Sequence, residues 1–190
     1  VWCLAGVGRT GYECPVWGNW SGVIGEVGAN LVVGNCGAGS QVGCFTHAAK
    51  GYLVADVAVW YGPDAGDRFT PVSPARVWDT RCGPGPVGPR GAGGAQNLTV
   101  AVVGGVPATG ATAVVLNIAA IHPSARTFIT GWPTGEAQPL AANLNVPAGD
   151  VRPNLAVLKI GAGGQVSFYN NAGNVDLVAD VAGWYGPPGE

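Results

Sequence analysis

The chain has 190 residues and a formal net charge of −2, with 11% charged side chains against roughly 25% in ordinary soluble domains. That length can bury a sizeable core, and the charge balance excludes a basic surface for a phosphate backbone, hence nucleic acid as a partner. A hydrophobic content of 47% excludes disorder in spite of 33 glycines and 15 prolines, and no apolar run approaches the ~18 residues of a membrane span, because the most hydrophobic stretch, residues 52–61, is short and carries Asp56.

The chain opens on Val1 and contains no methionine, which reads as a processed or excised piece whose targeting segment has been removed. Cys3, Cys14, Cys36 and Cys44 crowd into the first quarter, Cys82 stands apart, and none forms a CxxC or a Cys/His zinc spacing. They read as disulfide partners, which favours an oxidising, extracellular compartment. Cys82 reads equally as a buried thiol or as a bridge partner.

Residues 30–63 superpose on residues 154–187 after a shift of 124 positions, with 19 of 34 residues identical. Such self-similarity is the mark of an internal repeat. Each copy alternates apolar segments with Gly/Asn/Ser turns, and in the second these predict strands over 155–160, 165–169 and 175–185, joined by hairpins at 161–164 and 170–174. Upstream of the second copy, 98–103, 113–121 and 127–132 are rich in valine, isoleucine and threonine and predict further strands. No segment carries a capped helical stripe. The expected class is all-β, with two related β-sandwich-like units: an incomplete, disulfide-rich repeat over 1–62, a short Gly/Pro linker over 63–67, and a complete repeat over 68–190. The alignment sets Cys36 on Ile160 and Cys44 on Phe168, flanking one hairpin with side chains on the same face, so a Cys36–Cys44 bridge is expected. Cys3–Cys14 is then the simplest second bridge, each adding roughly 2–4 kcal/mol.

The run Phe-Thr-Pro-Val-Ser-Pro-Ala-Arg-Val-Trp-Asp-Thr-Arg at 69–81, the segments 105–123 (GVPATGATAVVLNIAAIHP) and 141–149 (AANLNVPAG), and the terminal Asp-Leu-Val-Ala-Asp-Val-Ala-Gly-Trp-Tyr-Gly carry a family resemblance. They resemble the tandem β-domain of secreted actinobacterial surface proteins, which is also appended to some of their extracellular hydrolases. The likeness covers 68–186 well and 30–63 in part, whereas residues 1–29 depart from it. It implies a secreted, non-catalytic module found in arrays.

The chemistry-bearing residues are few. His47 and His122 occupy positions that the two copies do not share, and no acid spacing forms a calcium loop, so no catalytic residue, cofactor or metal is expected. Asp56 and Asp180 are more informative, because both lie within Leu-Val-Ala-Asp-Val-Ala-x-Trp-Tyr-Gly, where an apolar strand must give a carboxylate a partner. Arg81 is the expected partner of Asp180, with Val178, Ala182 and Trp184 on the same strand face; Arg9 or Arg76 is left for Asp56. Trp60 and Trp184 read as core or inter-copy contacts. Trp17, Trp20 and Trp132, in Gly/Pro/Asn-rich settings, read as an exposed interface or glycan-stacking platform, with packing against the sandwich ends as the alternative.

Three functions are compatible with this inventory. In rank order they are a structural protein making repetitive contacts at the cell surface or in an extracellular filament, a carbohydrate-binding module of a larger extracellular hydrolase, and an enzyme. The first is favoured by a mean hydropathy of +0.26 with scarce charge, which implies apolar surface hidden against other chains in a homo-oligomer or filament, and a cell-wall or extracellular polysaccharide is the other partner considered. The first repeat lacks its opening strands, so residues 1–29, the second repeat, or a strand from a neighbouring chain must complete it.

Overall fold

The computed structural model describes the backbone of residues 2–6, 20–21 and 43–46, and residues 27–31, 52, 54–58 and 66–188 in full. The described residues are all-β, with no α-helix and one short 3-10 turn, Ala162–Gly164. By internal contacts the chain divides into two compact units, Val1–Ala55 and Asp56–Glu190. In the first, β1 (Trp2–Gly6) lies between β2 (Trp20–Ser21) and β3 (Gly43–Thr46), antiparallel to both.

The second unit holds two open, four-stranded antiparallel sheets. One contains β5 (Ala95–Thr99), β10 (Gln165–Asn170), β7 (Thr127–Pro133) and β8 (Leu144–Val146) in that order. The other runs β4 (Arg68–Asp79), β11 (Asp176–Gly186), β6 (Ala113–Ile121) and β9 (Val151–Lys159). Alternation drives the assembly. In β6 Val114, Leu116, Ile118 and Ala120 point into the core while Asn117 is exposed. Trp78, Leu98, Ile129, Phe168 and Leu177 join them from the other strands in one sandwich-like core, where the Trp78 and Phe168 rings meet at 5.3 Å.

The strands expected at 113–121, 127–132, 165–169 and 175–185 form close to those bounds, but the expected hairpins do not. β9 pairs with β6, whereas β10 pairs with β5 and β7, so the 161–164 turn arches from one sheet to the other. The 170–174 turn crosses back. Only β7 and β8 are successive strands of this unit that pair with each other. The tight corner at 161–164 explains its composition. Gly163 and Gly164 have positive φ, and a Cβ on Gly161 would run into the Thr134 backbone. The strand expected over 98–103 is displaced to Ala95–Thr99, because Val100 and Ala101 donate to the Gly164 carbonyl and Val102, Gly104 and Gly105 turn with positive φ.

A second correction concerns the repeat. Residues 54–58 align with residues 178–182 of β11, yet they form no strand and are exposed, with Val54 87% and Val57 89% accessible. The physical reason lies in pairing, since β11 is hydrogen-bonded along both edges, to β4 and β6, and the sequence before residue 30 has no counterpart of β4. The bridges expected for Cys3, Cys14, Cys36 and Cys44 lie outside the described residues, as does the turn at 37–40. Cys82 is exposed and free, which removes the reading of it as a buried thiol.

Candidate functional site

The densest cluster of charge in the described residues sits where β4 ends against β11. Opposite β11 the register steps from Ala179↔Trp78 to Asp180↔Arg76, so Val77 is an extra residue, a β-bulge. The bulge lets Val77 and Trp78 both enter the core while Arg76 and Asp79 emerge on the outer side. Arg76 consequently faces Asp180, donating Nε to Oδ1 at 2.5 Å and Nη2 to Oδ2 at 3.3 Å, and it donates Nη1 to Asp79 Oδ2 at 3.1 Å. Arg81 closes the other side. Its Nε and Nη2 reach the two Asp79 oxygens at 2.9 and 2.8 Å, and its backbone N–H reaches Oδ1 at 3.0 Å.

Asp180 is therefore held by Arg76, and the expectation that Arg81 would hold it is corrected. Parity along β11 gives the face of Asp180 but not the residue opposite it, and the Val77 bulge sets Arg76 there. A second bulge, at Ala182, puts Val181 opposite Leu116 and Gly183 opposite Val115, and so reverses the faces beyond it. Trp184 turns toward the core, away from the face of Asp180 on which it was expected.

Asp79 is the hub of the cluster. It is buried, and the Arg81 guanidinium holds its carboxyl far below the usual carboxylate range, with the Arg81 N–H and the Arg76 charge adding to the effect against the opposing pull of burial. Thr80 extends the clasp, since its hydroxyl donates to Asp176 Oδ1 at 2.7 Å and accepts the Leu177 N–H at 2.9 Å. Trp78 donates Nε1 to the Pro86 carbonyl at 2.9 Å. The Trp-Asp-Thr-Arg run of the sequence is thus a fastening between β4, the loop after it and β11. The two arginines are paired with Asp79 and Asp180, which fits a structural role.

The remaining candidates are scattered. Asp56 is exposed, contrary to the expectation of a buried partnered acid, because its segment is not built into a sheet. Trp132 is 8% accessible and donates Nε1 to the Glu136 carbonyl at 3.1 Å, so it is not an exposed platform. The loop after β7 returns over it, as the Thr130 hydroxyl bond to the Ala141 carbonyl shows. Trp17 and Trp60 lie outside the described residues, as does the side chain of Trp20; so do His47 and Arg9. His122 is exposed, with its N–H on the Asp150 carbonyl at 2.8 Å. The Asp150 carboxyl is lowered by the Val151 N–H and then by Arg152, an arrangement that ties off a strand start. No group of three His, Cys, Asp or Glu side chains among the described residues is placed to hold a metal ion.

Sequence reading missed Asn170 and Thr127. Both are buried; Asn170 donates Nδ2 to the carbonyls of Arg90 and Gly173 at 2.8 Å and accepts the Thr127 hydroxyl at 2.6 Å. Its signal was an Asn ending a strand before an Asn-Ala-Gly turn, where such side chains bond local backbone. No protein-family model matches the chain, and no curated protein matches it.

Proposed function

We propose that this chain is a secreted, non-catalytic structural protein that joins copies of itself at the cell surface or in an extracellular filament, with the segment around residues 52–58 as the strand it offers. One observation carries the reading. The six residues Leu-Val-Ala-Asp-Val-Ala form a central, doubly paired strand at 177–182, and five of the same six, at 54–58, are exposed.

An apolar strand sequence left outside a sheet is a template for pairing with another chain. Tyr52, Val54 and Val57 are each more than 85% accessible, in a chain with little charge to keep it apart from its neighbours. The segment is also barred from the slot of its twin. Where β11 has Gly183, a Cβ would overlap the Phe69 ring and lie 2.7 Å from the Thr70 carbonyl oxygen, and the aligned residue of the first copy is Val59. Edge chemistry supplies the acceptor. β4 carries Pro71 and Pro74, β9 carries Pro153, and β8 has three residues, whereas β5 is an edge with neither proline nor charge.

Sedimentation velocity across a concentration series tests this. Wild type is expected to form multimers that the exposed double substitution Val54→Asp/Val57→Asp abolishes with the melting temperature unchanged. A strict monomer at all concentrations, or multimers indifferent to the substitution, would overturn it.

A further inference from the structure

The two sheets of the C-terminal unit divide the charge unequally. Every charged residue of strands β4 to β11 lies on the β4-β11-β6-β9 sheet: Arg68, Arg76, Asp79, Arg152, Lys159, Asp176 and Asp180. The β5-β10-β7-β8 sheet has none. Its inner face supplies Leu98, Val166, Phe168 and Ile129 to the core, so alternation turns Gln165, Ser167 and Tyr169 outward. Register then sets them in rows beside Thr99, Asn97 and Ala95 of β5.

We propose that this outer face is a binding site for a neutral polysaccharide. Along β5 it offers Thr99, Asn97 and Ala95, all exposed, over roughly 14 Å, while in the middle of β10 Ser167 is buried and bonded to Thr134 of the loop after β7. At one end the Tyr169 and Phe128 rings, half-buried and 6.0 Å apart, give an apolar surface on which a sugar ring can lie. In the middle, Ser167 donates to Asn97 Oδ1 at 2.8 Å, which fixes the exposed Asn97 amide and leaves its NH2 group as a donor. At the other end Gln165 donates Nε2 to Thr99 Oγ1 at 3.1 Å, which leaves Gln165 Oε1 as an acceptor. Pre-oriented amides beside aromatic rings match the alternating hydroxyls and C–H faces of a polyol. The absence of charge on the sheet disfavours an anionic polymer or a charged peptide. Trp132 lies opposite Ser167 on the same face but is buried, with Nε1 on the Glu136 carbonyl, and takes no part in the site, which stays open if a strand is added in the plane of the sheet at β5.

Affinity electrophoresis of the full chain through gels containing hydroxyethylcellulose or alginate tests the site. Retardation by the neutral glucan is expected, with the apparent dissociation constant raised roughly tenfold by Asn97→Asp, which exchanges the amide donor for a charge at an exposed position. Tyr169→Ala should act in the same direction, and thermal melting checks that each variant folds. No retardation by hydroxyethylcellulose, retardation unchanged by Asn97→Asp in a folded protein, or preferential retardation by alginate would each overturn the proposal.

Discussion

Residues 177–186 and residues 53–62 differ at one position in ten, Gly183 against Val59, and the two segments have different fates. The first is a strand paired along both edges, flanked by β4 and β6; the described part of the second is exposed and outside any sheet. Strand propensity is the same in both, so propensity does not decide. What decides is whether neighbouring strands satisfy the backbone and cover the side chains. The Trp-Asp-Thr-Arg fastening sits beside β11 and has no counterpart in the first copy.

The sharpest way to break this contrast is to open the fastening. Asp79→Ala would leave Arg76 and Arg81 without their shared carboxylate and is expected to cost roughly 3 kcal/mol, read from urea denaturation of the C-terminal unit. The same carboxylate sets an acid limit. Because its folded pKa is depressed, its contribution is complete above the ordinary aspartate value near 4 and is lost as pH falls below that toward the folded value. Wild type should therefore lose on the order of 2 kcal/mol on acidification below pH 4, and Asp79→Asn should flatten that part of the profile.

Gly183→Val makes β11 match the first copy. Overpacking against Phe69 and the Thr70 carbonyl is expected to cost about 1–3 kcal/mol, and the double variant Gly183→Val/Phe69→Ala should recover part of it. If Gly183→Val is neutral, Val59 does not bar the first segment from the β11 slot. The smallest effects compare the twin acids. Asp180→Ala loses a part-exposed ion pair with Arg76 and should cost about 0.5–1 kcal/mol, whereas Asp56→Ala should stay within about 0.5 kcal/mol of wild type. Equal costs would place Asp56 in a pairing like that of Asp180.

The limits of the sequence follow the same physics. Alternating apolar residues made β6, β7, β10 and β11 legible, since period two reports which face a residue takes. It does not report which strand lies alongside, and all eight strands in this unit lead to or from a crossing between sheets, so turns such as 161–164 passed for hairpins. The importance of Arg81 was visible in Asp-Thr-Arg, but its partner was not, because a single bulged residue, Val77, turns Arg76 toward Asp180 and leaves Arg81 to Asp79. Trp132 looked exposed from its Gly/Pro neighbours, while the loop that covers it depends on bonds from Thr130 and Trp132 to distant backbone.

Hydrogen exchange read by mass spectrometry at peptide resolution tests the central claim most directly, because the two Leu-Val-Ala-Asp-Val-Ala segments are distinguished by their flanks. In dilute monomer the amides of 177–182 should exchange only through global opening of the unit, while those of 54–58 should exchange within seconds. Raising the protein concentration should then protect 54–58 and the β5 edge, and leave 177–182 unchanged. Equal protection of both segments in the dilute monomer would contradict the account, since the first copy would then have a partnered strand of its own.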